Sequence, residues 1–174
     1  MEEIRIYCEN DRRYHTFPMG TDLKTISDSI YPSASLAALV NNQLKELSFK
    51  IMTTNTVRFI DYDHPDGRRT YIRSLCFVLQ NVIREMYPEK VLVIDYSLPS
   101  GLYCEIREKE EMYDGRPKVY FVTDEELERI QARMKEIIDA DLPFEKTKQT
   151  LEDTVKLFEA NGQKEKVNLA RSLG

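Results

Sequence analysis

Residues 36–47, LAALVNNQLKEL, decide the fold of the first part of the chain. Leu36 to Val40 is a short apolar run of strand length. Asn41-Asn42 makes a tight turn because Asn tolerates a positive φ, and Gln43 to Leu47 returns antiparallel. Upstream, Ile4, Ile6 and Cys8 alternate with Arg5 and Tyr7, the period of a strand with one buried face. The polar run Glu9 to Arg13 is a hairpin turn, and Tyr14, Thr16 and Phe17 lie on the returning strand.

Gly20 ends that strand, and Thr21 or Asp22 can cap a helix carrying Leu23, Ile26 and Ile30, which Pro32 stops. Thr56 to Ile60 follows the hairpin, with Val57 and Phe59 on one face and Arg58 and Ile60 on the other. Two strands, a helix and three short strands give the ubiquitin-like β-grasp arrangement over residues 1–62. The polar stretch Asp61 to Gly67 contains Pro65 and carries no periodicity. It predicts a domain boundary, with residues 63–67 as linker.

Residues 68–174 predict a second, α+β domain with helices laid on an antiparallel sheet. Its strongest helix runs from Arg68 to Tyr87, with Tyr71, Leu75, Val78, Leu79, Val82 and Met86 as one apolar stripe, and Pro88 ends it. Val91 to Ile94 is a strand, Leu98 to Gly101 a turn, and a second strand passes through Tyr103 and Ile106. The charged run Arg107 to Lys118 reads as a solvated tip or loop before a strand over Val119 to Val122. Thr123 and Glu126 form a capping box for a helix whose inner face is Leu127, Ile130, Met134, Ile137 and Ile138. Phe144 to Gln149 reads as extended. Thr150 caps a helix with Leu151, Val155 and Phe158, stopped by Asn161-Gly162. The periodic segment Lys164 to Leu173 is followed only by Gly174, which predicts a C-terminally truncated domain.

The chain has 174 residues, 41% hydrophobic and 32% charged, with a net charge of −5. The excess of negatives falls in the second half. This composition excludes a strongly basic nucleic-acid binder, and neither DNA nor a membrane is an expected partner. Cys8, Cys76 and Cys104 form no CxxC pair and suit free thiols in a reducing cytoplasm. His15 and His64 stand too far apart in sequence to start a metal site. Cys76 and Cys104 read as small core thiols. Asp61, Asp63 and Asp66 lack the later ligands of a calcium loop. Arg68, Arg69 and Arg73 at the opening of the long helix are candidates for phosphate. Arginine there opposes the helix dipole, so a compensating group is required.

The stretches MGTDLKTIS (19–27) and ALVNNQLKEL (38–47) resemble a TGS domain, the β-grasp module at the N-terminus of threonyl-tRNA synthetases. The following stretches are YIRSLCFVLQNVIREMYP (71–88), SGLYCEI (100–106), DEELERIQARMKEII (124–138) and LFEANGQKEKV (157–167). They resemble the second additional domain of the same synthetases, their editing domain. That family carries His-x-x-x-His on the long helix, and the matching positions here are Arg73 and Phe77. Arginine does not deprotonate to become a ligand and phenylalanine has no donor atom, so the resemblance implies a site without editing chemistry. Lys166 fits a lysine of the family's editing pocket.

The same pair of domains occurs in bacterial uridine kinase-like fusion proteins, ahead of a P-loop nucleoside kinase. No G-x-x-x-x-G-K-[ST] occurs in these residues, so the resemblance places ATP, Mg and the kinase domain in a downstream part of the same chain. The leading expectation is therefore a non-catalytic N-terminal region of such a kinase. It binds a small molecule, RNA or a partner in a cleft lined by Arg73, Phe77 and Lys166. The alternatives are the TGS and degenerate editing region of a threonyl-tRNA synthetase, and a purely structural TGS-type adaptor.

Overall fold

The computed structural model describes residues 2–31, 34–99, 101–113 and 115–172 and has an α+β architecture. Its chain forms two compact units, Met1–Ile137 and Ile138–Gly174. Pro32, Ser100, Asp114 and Leu173, used above as turn, stop or helix residues, lie outside the described residues.

The first unit opens with β1 (Glu3–Cys8), β2 (Arg13–Pro18), α1 (Leu23–Ile30), β3 (Ala37–Val40), β4 (Gln43–Lys45) and β5 (Asn55–Ile60). The sheet order is β2-β1-β5-β3-β4, with β1 and β5 parallel, which is the expected β-grasp. The Asp22 carboxylate caps α1 by accepting from the Thr25 N–H at 2.8 Å. Leu23 and Ile26 of α1 bury against Ile4, Ile6, Cys8, Ala38, Val40, Val57 and Phe59 on the inner face of the sheet. Each such large side chain contributes about 1.5–3 kcal/mol. Asn41 and Asn42 take φ of 48° and 63°, so both central positions of the β3–β4 turn are left-handed, as a type I′ hairpin requires. Ile60 is buried although it shares the outer face with exposed Arg58.

Next come α2 (Pro65–Met86), β6 (Lys90–Leu98), β7 (Gly101–Tyr113), β8 (Arg116–Tyr120) and α3 (Asp124–Asp139). The helix begins three residues earlier than its periodicity indicated. Pro65 sits in its first turn, where its fixed φ is already helical and its missing N–H costs nothing. Strands β6-β7-β8 form an antiparallel sheet. Val78, Val82 and Ile83 of α2, Ile106 of β7 and Ile130 of α3 form a second core.

Three expectations change here. The charged run from Arg107 is largely strand, because a hairpin wetted on its surface satisfies its backbone through β7–β8 pairing whatever its side chains. Leu127 and Ile138 are exposed, so α3 covers the core through Ile130, Met134 and Ile137 only. The sheet's last strand ends at Tyr120, two residues before Val122.

The second unit contains α4 (Leu151–Ala160) and α5 (Lys164–Ser172). Thr150 caps α4 by accepting from the Asp153 N–H at 3.2 Å. Gly162, at φ 66°, reverses the chain, and the Gln163 N–H donates to the Phe158 carbonyl at 2.9 Å. Residues 144–149 have no regular secondary structure. Among the described residues, no helix is long and apolar enough to cross a membrane.

Candidate functional site

The opening turn of α2 holds its arginines in a defined arrangement. His64 is the N-cap, its Nδ1 accepting from the Asp66 N–H at 3.1 Å. The Asp66 carboxylate pairs with Arg69 one turn on, and so supplies the negative charge that the helix N-terminus favours. Arg68 lies over the Tyr62 ring, 5.3 Å from its centroid, and Tyr62 meets Tyr71 edge-on at 5.2 Å. The dipole penalty of an arginine-rich first turn is thus offset locally. Arg68 and Arg69 each already have a partner within the chain.

Arg73 and Phe77 are one turn apart on α2 and both are exposed, Phe77 by 59%. At 3.6 residues per turn they fall on the side opposite Val78 and Val82, so the structure brings them together on the outer face of the helix. Arg73 has no ion-pair partner among the described residues. Lys166, in the second unit, is exposed and lies 5.7 Å from the centroid of the Phe158 ring.

The apolar stripe of α2 is covered only in its second half. Tyr71 and Leu75 remain 46% and 36% exposed, while Val78 and Val82 are buried. Ile94, Tyr96 and Leu98 of β6 are exposed as well, and Tyr96 stacks on Tyr103 at 4.9 Å. Cys104 is exposed rather than a core thiol. Partial desolvation of its sulfur and the neighbouring Cys76 thiol nevertheless push its pKa up, away from nucleophilic use. Cys8 is buried in the first core, where burial raises its pKa.

At the other end of α2, the Glu126 carboxylate gathers four donors. It accepts from the Thr123 N–H at 2.9 Å, from the Thr123 hydroxyl, and from the hydroxyls of Tyr120 and Tyr87. Those bonds, the Thr123 amide first, lower its pKa to about 2. Its neighbour Lys90 pairs with Glu89 and Glu108 and sits over the Tyr120 ring at 4.4 Å. This is a structural clasp between the end of α2, β8 and the start of α3.

Among the described residues, no group of three or more His, Cys, Asp or Glu side chains is placed to hold a metal ion. His15 binds Asp11 at 2.7 Å and His64 caps α2. Asp61 accepts from the Asp63 N–H at 3.0 Å, as a turn carboxylate does. A cavity of about 250 Å³ opens elsewhere, beside the β3–β4 turn, with Lys45, Phe49 and Lys50 on its wall. One arrangement carries no sequence motif. Arg5, Tyr7 and Tyr14 gather on the outer face of the first sheet. The alternation along β1 already put Arg5 and Tyr7 there, but the cross-strand register was needed to add Tyr14.

No family model matches the chain. It is similar to the threonine--tRNA ligase of Carboxydothermus hydrogenoformans, 28% identical over 150 residues, which covers 86% of this chain and 22% of that protein. It is similar also to the threonine--tRNA ligase of Acetivibrio thermocellus, 28% identical over 157 residues, covering 88% and 23%. To that of Syntrophomonas wolfei it is 24% identical over 176 residues, covering 99% and 26%. The chain spans about a quarter or less of the length of these relatives, and over most of its own length it is similar to threonine--tRNA ligases.

Proposed function

We propose that this chain is the N-terminal region of a threonyl-tRNA synthetase-type protein, TGS-like over residues 1–62 and editing-like over 68–174, and that it binds RNA without hydrolysing an aminoacyl ester on it. The observation that carries the reading is the pair Arg73 and Phe77, exposed together on α2 within a chain similar to tRNA ligases. Where a hydrolytic site needs a base or a metal ligand, this pair offers a permanent cation and an exposed aromatic side chain, residue types that meet phosphates and bases. Lys166 supplies a separate cation.

The relatives' shared name supports the synthetase-type alternative above the uridine kinase-like parent. ATP and Mg belong only to the kinase reading. A cytoplasmic location goes with either.

The test is a titration with unfractionated tRNA at two salt concentrations, together with a deacylation assay on seryl-tRNA. The reading expects saturable, salt-sensitive binding and no release of serine. Absence of binding, or measurable deacylation, overturns it. Reading the gene beyond the codon for Gly174 separates the two parents: synthetase motifs support this one, and a Walker A motif after a strand restores the kinase.

A further inference from the structure

We propose that the outer face of the β-grasp sheet is a binding site for single-stranded RNA, in which one base stacks on the guanidinium of Arg5. The inference rests on the RNA-binding reading above and names a second surface for it.

The inner faces of β1 and β5 are committed to the core through Ile4, Ile6, Cys8, Val57 and Phe59. The alternate residues therefore lie on the opposite face: Glu3, Arg5 and Tyr7 on β1, and Thr56, Arg58 and the covered Ile60 on β5. The register pairs Tyr7 with Tyr14 and Arg5 with Thr16, so Tyr14 and Thr16 of β2 join them. The Arg5 guanidinium lies 4.0 Å from the centroid of the Tyr14 ring, and the Tyr7 ring stands against Tyr14 at 5.1 Å and 54°. Arg5 and Arg58 are exposed, and Tyr14 is 59% exposed.

Three properties of this face point to RNA. The Arg5 guanidinium is a planar cation, 4.0 Å over the Tyr14 ring and exposed, and a nucleobase can extend such a cation–ring pair by stacking. Glu3 is the one carboxylate with outward parity on β1, β2 and β5, in a chain whose net charge is −5. The face is therefore locally cationic where the protein is not. It is also a side-chain face of β2, β1 and β5 and not the unpaired backbone edge of β2 or β4, where an extended peptide would add by strand pairing. With Arg5 stacked on a base and Arg58 left to meet phosphate, binding has a shallow salt dependence, a slope of about −0.7 on logarithmic axes for a single strand.

The experiment is fluorescence anisotropy of a labelled twelve-residue oligoadenylate, its duplex with oligouridylate, and unfractionated tRNA, against the wild-type chain and variants whose melting is checked by circular dichroism. The proposal expects the single strand to bind and the duplex to bind weakly. Arg5→Ala weakens the single strand about 5- to 150-fold, the range for losing one stacked base. Arg5→Lys, which keeps the charge and loses the plane, stays weak, and Tyr14→Phe stays near wild type. Since the chain contains no Trp, Tyr14→Trp adds a reporter that oligoadenylate quenches at saturation.

Wild-type affinity in Arg5→Ala or Arg5→Lys overturns the proposal, as does an unquenched Tyr14→Trp at saturating RNA. Loss of tRNA binding in Arg73→Ala alone overturns this surface while leaving the RNA-binding reading in place. If wild type binds neither oligoadenylate nor tRNA, both fail together.

Discussion

The carbonyl oxygen of Asp61 stands 1.8 Å from the point a β-carbon on Gly67 would occupy, so the backbone leaving the first sheet and the first turn of α2 pass in direct contact. Gly67 is buried, and no flexible side chain lies between. This approach fixes where the long helix leaves the β-grasp sheet, and so where Arg73 and Phe77 are presented.

Gly67→Ala should therefore destabilise the chain by about 1–3 kcal/mol, the cost of forcing extra atoms into a packed site. Urea denaturation measures it. A variant as stable as wild type would show that the turn relaxes freely.

Asn10 joins the β1–β2 turn to β5 as a substitute strand residue. Its Oδ1 accepts from the Phe59 N–H at 2.8 Å and its Nδ2 donates to the Phe59 carbonyl at 3.0 Å. Asn10→Ala leaves both backbone groups unpaired beside a buried ring, and about 1–3 kcal/mol should be lost. Faster hydrogen exchange at the Phe59 amide than at the Val57 amide would localise the loss.

Glu126 gives the clasp a pH dependence. Its pKa is lowered from 4.5 to about 2 in the folded chain, so its contribution is complete above 4.5 and fades as pH falls toward 2. Glu126→Gln should lower the melting temperature at pH 7, and the gap from wild type should close on acidification across that window. A gap that stays constant between pH 6 and pH 2 would show that the charge is irrelevant.

Arg73→Ala should change stability by no more than about 0.5 kcal/mol, because the side chain is exposed and has no ion-pair partner among the described residues. Affinity for tRNA should fall, and the salt slope should shrink by about one if Arg73 meets a phosphate. An unchanged slope would remove Arg73 from the interface.

Much of the fold was legible because its signals are local. Asn41-Asn42 announced a hairpin through the one backbone region Asn tolerates best, and Thr123 with Glu126 announced a helix start through reciprocal capping. The candidate site was less legible. Arg68 and Arg69 read as phosphate candidates that needed a compensating group, and their partners Tyr62 and Asp66 became identifiable only once Pro65 was seen to begin the helix.

By itself the sequence determined the β-grasp order, the end of α2 before Pro88 and the caps of α1, α3 and α4, because turn chemistry and side-chain period act over a few residues. It determined also that positions 73 and 77 hold no imidazole. Tertiary structure alone decided that Arg73 and Phe77 face outward, that the stripe from Tyr71 to Met86 is covered only in its second half, and that Tyr14 meets Arg5. Those outcomes depend on which distant strand or helix arrives to cover a face, and burial is shared between partners that the local pattern does not name.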